Sequence, residues 1–290
     1  MSPSSPIVVI DSGLGGLTVV RAIQNVLPKE DIVYFGDTAR LPYGSKTAAT
    51  VCSFVEQIIS YLQSKNPKHV VIACNTATAL ALQSVQHTFA SLPITGVIEP
   101  GAKAAVIAAG SKMVPTIAVL ATEATVRSKA YERAIHRRRH HARLLMRPAP
   151  LLVPIIEEGR TVNDPLVRVA LQQYLEPLIR NRMNVLVLGC THYPVYRELI
   201  QEMTGKVVPV IDSAQQCAED VARRLKIAGM LHGQNGAGSL SSFVTDDPER
   251  FQLLAPRFLG MEIDRPTWVH PEELYAPVMP PSPVRLSQSA

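Results

Sequence analysis

The sequence predicts an α/β protein of two pseudo-symmetric, flavodoxin-like domains with mostly parallel sheets and an active site in the cleft between them. Three observations carry this expectation. Short runs rich in Val and Ile alternate with longer helical stretches along the 290 residues. The runs are almost continuously apolar rather than alternating, the pattern of strands buried on both faces of a parallel sheet. One motif also recurs, an apolar strand running into a cysteine and a polar turn: VVIACNTA at 70–77 and VLVLGCTHYP at 185–194.

The candidate strands, in order, are IVVI at 7–10, DIVYF at 31–35, HVVIA at 69–73, ITGVI at 94–98, TIAVL at 116–120, ARLLM at 142–146, NVLVLG at 184–189 and VVPVI at 207–211. Helical segments between them include Leu17–Leu27, Thr47–Gln63, Ala77–Phe89 and Asp164–Asn181. Such alternation argues for parallel sheets covered by helices. The strands could form one large sheet, but the repeated cysteine motif favours two. The first domain is then expected over 1–99 plus 210–264 and the second over 100–209. A proline-rich tail follows at 265–290, with Trp268 and Tyr275 available to dock it onto the body.

A hydrophobic fraction of 47% and a charged fraction of 18% suit an ordinary globular core. No apolar run approaches the roughly 18 residues of a membrane span, and MSPSSP at the start carries no secretory signal. A cytoplasmic protein without a membrane partner is expected. The four cysteines (Cys52, Cys74, Cys190 and Cys217) are scattered, with neither CxxC spacing nor close Cys/His ligand spacing. Free thiols are expected, with no disulfide framework, metal or cofactor. The net charge of +5 is local, because residues 133–147 hold six arginines and no acid. Such a run can attract a polyanion, but it lacks aromatic residues for base stacking. It reads as a solvated helix end and loop, and no nucleic-acid partner is expected.

Ligands of open parallel sheets bind beyond the carboxyl ends of the strands, so the chemistry is sought there. After the first strand come Asp11, Ser12 and the glycines Gly13, Gly15 and Gly16. The glycines permit a tight turn, and the helix start behind it offers backbone N–H groups to an anion. The spacing matches neither GxGxxG nor GK[ST], which favours a small carboxylate over a nucleotide. After the second strand, FGDTARLPYG puts Asp37, Arg40, Tyr43 and Gly44 on a loop at the same edge. A plainer alternative has Asp37 as a cap and PYG as a turn.

Cys74 and Cys190 each stand where a strand stops and a helix is expected to start, a setting that stabilises a thiolate. Cys52 and Cys217 lie inside helical stretches. Two thiols facing one cleft suit inversion at a carbon acid: one base removes a proton from one face while an acid delivers another to the opposite face. A free cysteine titrates at about 8.5, within reach of both roles. Asp11 is the neighbour expected for Cys74, and His192 for Cys190. A redox pair would more typically show CxxC.

The segments DSGLGGLTV, YFGDTARLPYG, ACNTATALAL, GVIEPGA, LLVPIIEEG and LGCTHYP resemble the glutamate racemase family, in the same order and at similar spacings, from about Ile7 to Gly260. The resemblance implies a cofactor-independent, homodimeric enzyme interconverting L- and D-glutamate, the latter a building block of bacterial peptidoglycan. It implies that Cys74 takes the Cα proton of D-glutamate and Cys190 that of L-glutamate, assisted by Asp11, Asp37, Glu158 and His192. The implied substrate contacts are Asp11, Ser12, Pro42, Tyr43, Gly44, Asn75, Thr76, Thr122, Thr125, Thr191 and His192. By residue type alone, Glu158 could equally be a surface acid and Thr122 a helix cap. Ala149 stands where many family members have a cysteine. The rival readings are an aspartate racemase, against which His192 after Cys190 and Thr191 speaks, and a non-catalytic binding or regulatory protein of the same fold.

Overall fold

Ten strands carry the architecture in the computed structural model, which describes residues 1–275. They are β1 (Ile7–Asp11), β2 (Ile32–Gly36), β3 (His69–Ile72), β4 (Ile94–Gly96), β5 (Thr116–Ala121), β6 (Arg143–Pro148), β7 (Val185–Gly189), β8 (Val210–Asp212), β9 (Leu240–Val244) and β10 (Thr267–Trp268). The first sheet has the order β10-β9-β2-β1-β3-β4 and the second β6-β5-β7-β8. Every pairing is parallel. All residues of β1, β2, β3 and β7 are buried, which explains their unbroken apolar runs.

The segments β2-β1-β3-β4 and β6-β5-β7-β8 share one topology, so β1 corresponds to β5 and β3 to β7. In each half the chain leaves a central strand toward one side and then returns to its other side. That reversal opens a crevice at the carboxyl ends of the two central strands. The duplication suspected from the cysteine motif is therefore a duplication of the crevice itself.

Helices cover both sheets for ordinary reasons. Ala48–Leu62 buries Val51, Val55, Ile58, Ile59 and Leu62 at helical spacing. Thr47 caps it by accepting a 3.3 Å hydrogen bond from the Thr50 N–H. Asp164 caps Pro165–Arg180 by accepting from the Leu166 N–H at 2.8 Å, with the proline in the first turn. One face of each sheet shares a single core. Ile7 and Val9 of β1 join Leu17, Val20 and Ile23 of helix Leu17–Val26, and Ala118 and Leu120 of β5 join Leu186 and Leu188 of β7. The opposite faces pack into separate clusters.

Several boundaries differ from the sequence expectation. Val210–Asp212, assigned to the first domain, pairs with β7 in the second sheet (Leu186 opposite Val210). The crossing back therefore falls after Asp212. In ITGVI the strand stops at Gly96, and Ile98 already belongs to the helix Ile98–Ala108. The added strand β9, LSSFV, is only partly buried and pairs with β2 (Ile32 opposite Leu240). Its two serines mute the apolar signal. The expected tail begins later than 265, since Thr267–Trp268 pairs with β9 and Trp268 donates its indole N–H to the Thr245 carbonyl at 3.1 Å. Tyr275 is exposed. The rest of the tail, 276–290, lies outside the described residues.

The arginine run is largely occupied within the chain. Arg137 and Arg138 pair with Glu99, the latter at 2.6 Å. Arg139 donates to the carbonyls of Gly110 and Lys112. Among the described residues no helix is long and apolar enough to cross a membrane.

Candidate active site

Four strand ends meet at one small cleft. The first sheet supplies Ser12 after β1, and Cys74, Asn75 and Thr76 after β3. The second supplies Thr122 after β5, and Cys190, Thr191 and His192 after β7. The loop after β2 brings Pro42, Tyr43 and Gly44. The two cysteines thus occupy equivalent positions of the two halves and line the same space.

Their surroundings differ. Cys74 is the N-cap of helix Asn75–Thr88, where its sulfur accepts from the Ala77 N–H at 3.5 Å and donates to Ser12 Oγ at 3.6 Å. Burial and the nearby Asp11 carboxylate push its thiol up to about 12, against the Ala77 and Ser12 hydrogen bonds. At neutral pH this sulfur carries its proton. Cys190 Sγ lies 4.0 Å from His192 Nδ1, and His192 Nε2 lies 2.7 Å from Glu157 Oε1. Burial alone would depress His192, but its contacts with Cys190 and Glu157 prevail and raise it to about 10. The ring is therefore an imidazolium at neutral pH. It presents positive charge to the second sulfur.

Asp11 is buried and joins the two halves. Its carboxylate accepts from the Gly13 N–H at 3.0 Å and from the Thr191 hydroxyl at 3.3 Å. Burial raises its pKa; the charge on His192 and these hydrogen bonds act in the other direction. It acts on Cys74 through its charge. Thr76 makes a second joint, bonding to Thr122 at 2.9 Å and to Thr125 at 3.2 Å. Thr122 lines the cleft and also caps helix Glu123–Arg127.

Two expected assistants sit elsewhere. Glu158 is exposed and pairs with Arg160 at 2.7 Å; Glu157, one residue earlier, faces His192. Neighbouring residues of a helical turn point about 100° apart, so one glutamate of the pair had to face away. Asp37 is fully buried behind the cleft and bonds to Tyr43, Arg40 and Thr245. Its contact with the site is through Tyr43. Thr125 likewise stands behind Thr122. Leu41 and Val153 line the cleft and were not anticipated, because apolar side chains carry no chemical signature in a sequence.

Two glycines owe their place to close approach. A Cβ on Gly15 would collide with the Thr191 side chain and lie 2.6 Å from His192 Nδ1. One on Gly44 would lie 2.9 Å from Thr122 Cβ.

The sequence profile of the Asp/Glu/Hydantoin racemases matches residues 7–221, which include both cysteine motifs. The chain belongs to that racemase family. Among curated racemases, the glutamate racemase of Neisseria meningitidis serogroup A is 42% identical over 260 residues, spanning 90% of this chain and 94% of the relative. Solved racemase structures share the architecture. The glutamate racemase of Francisella tularensis, crystallised with D-glutamate, superposes with a TM-score of 0.84 at 34% identity, covering 92% of this chain and 98% of that one. That of Thermus thermophilus, in complex with β-chloro-D-alanine, gives 0.82 at 39% identity, covering 94% and 100%.

Proposed function

We propose that this protein racemises glutamate by two-thiol proton transfer, with Cys74 and Cys190 acting on opposite faces of Cα. The observation that carries the reading is the equivalence of the two cysteines across two halves of one topology, over a single cleft. The family and the glutamate racemases above support the same activity and substrate.

For L-glutamate, the Cys190 thiolate beside the His192 imidazolium takes the Cα proton, and the Cys74 thiol delivers its own to the other face. The products are D-glutamate, a Cys74 thiolate and a Cys190 thiol; the reverse reaction starts from that state. Carboxylate groups of the substrate are received by donors at the cleft: the hydroxyls of Ser12 and Thr76 and the Asn75 amide. The His192–Glu157 pair places positive charge beside one sulfur and Asp11 negative charge beside the other, so each thiol has its own electrostatic partner. Burial keeps water from quenching the carbanionic intermediate. D-glutamate made this way would supply peptidoglycan synthesis in the cytoplasm, where free thiols persist.

The test is racemisation in deuterated water. L-glutamate is expected to gain deuterium at Cα as D-glutamate appears, and Cys74→Ala and Cys190→Ala are each expected to stop racemisation. Normal racemisation by either variant would overturn the two-thiol mechanism. Faster turnover of aspartate than of glutamate would overturn the substrate, the reading that His192 after Thr191 disfavours.

A further inference from the structure

Asn75 opens the helix that Cys74 caps, and its side chain is buried. The amide nitrogen is buried and has no hydrogen-bond partner among the described residues. The amide oxygen is engaged, accepting a 2.7 Å hydrogen bond from the Tyr131 hydroxyl. Tyr131 belongs to the other half of the molecule, in helix Ala130–His136, and is 0% exposed.

The phenol is tightly enclosed. A Cβ on Gly189, the residue before Cys190, would lie 3.2 Å from Tyr131 Cε2, and one on Gly101 would lie 3.2 Å from its hydroxyl. The same Gly101 Cβ would lie 3.0 Å from Ser213 Cβ, so Ser213 closes the pocket around the phenol. Tyr131 is therefore held against the strand end that carries Cys190 while gripping the residue that follows Cys74.

We infer that Tyr131 is a positioning residue that fixes the orientation of the Asn75 amide, turning its NH2 group into the cleft to receive a carboxylate oxygen of the substrate. Flipping the amide would bring its oxygen against the carboxylate and leave its nitrogen facing the phenol. A buried donor without a partner is unfavourable, and in this cleft the incoming carboxylate supplies the missing acceptor. The inference rests on the proposed reading that the cleft takes an amino dicarboxylate.

The experiment is steady-state racemisation kinetics on Tyr131→Phe, Asn75→Ala, the double variant and Asn75→Asp, with circular dichroism to check folding. Tyr131→Phe removes one oxygen from an enclosed ring. It is expected to raise KM for glutamate about tenfold, the scale of one hydrogen bond, with kcat changed far less. In the Asn75→Ala background the same substitution should leave KM where Asn75→Ala has put it. An unchanged KM in Tyr131→Phe, or an equal rise in both backgrounds, would overturn the inference.

Asn75→Asp keeps an acceptor for Tyr131 but turns an oxygen toward the substrate. Its KM is expected to rise more than that of Tyr131→Phe, and a KM equal to the parent's would overturn the orientation. That variant decides the matter if Tyr131→Phe does not fold. A parent protein that fails to turn over glutamate would overturn the racemase reading as well. A parent that does so, with Tyr131→Phe kinetics unaltered, sinks this inference alone.

Discussion

Glu157 and Glu158 are chemically identical neighbours with opposite fates. The first holds the His192 ring, and the second pairs with Arg160 in solvent. Glu157→Gln is expected to lower kcat about tenfold or more, roughly 1.4 kcal/mol in the barrier, while Glu158→Gln stays within about twofold. Initial rates on both variants decide it; equal losses would remove the distinction. The pH profile sharpens the test. His192 acts as a cation, so activity is expected to fall as pH rises through its value of about 10. Without the Glu157 carboxylate that support is weaker, and the alkaline fall should begin at lower pH. The same histidine explains why the two thiols are unequal: one sulfur faces an imidazolium, the other a buried carboxylate.

At the scale of elements, the site is made of strand ends and the turns that leave them. The turn after β1 passes so close to the turn after β7 that Gly15 has no room for a methyl group beside Thr191 and His192. Gly15→Ala is expected to push those two turns apart and lower kcat/KM by at least about tenfold, the scale of one catalytic contact. Thermal unfolding followed alongside the kinetics separates this from global destabilisation. Wild-type kinetics in Gly15→Ala would mean that the turns tolerate separation. The helix behind Cys74 matters in the same way, since the sulfur caps it and receives an N–H from its first turn.

Across the whole molecule, two buried histidines set the pH range of stability from opposite sides. His69, which bonds to Thr95 at 2.7 Å, is lowered to about 4, by burial first and by Arg224 second. The unfolded chain takes up a proton at about 6.5 that the folded one refuses, so this contribution is lost as pH falls from there toward 4. His192 is raised to about 10. Its contribution is complete below about 6.5 and is lost as pH rises toward 10. Urea midpoints are therefore expected to peak near pH ~6.5. His69→Gln should flatten the acid side and His192→Gln the alkaline side. A midpoint that climbs steadily across the range would contradict both assignments.

The fold class, most strands, the two strand-end cysteines and the turns that flank them are legible in the chain alone. These are local properties, because a strand buried on both faces must be apolar throughout and a chain leaving it must turn with Gly, Ser, Thr or Asn. The motif repeat carried the duplication for the same reason. The rest depends on contacts between distant segments. Which glutamate meets His192 is set by the rotation of one helical turn, and the sheet that takes Val210–Asp212 by a neighbour more than twenty residues away. The place of β9 rests on pairing with β2 across some two hundred positions. Apolar wall residues such as Leu41 and Val153, and the Tyr131 grip on Asn75, have no local signature at all. They exist because two similar halves close on one another, and the two cysteines become a pair only through that closure.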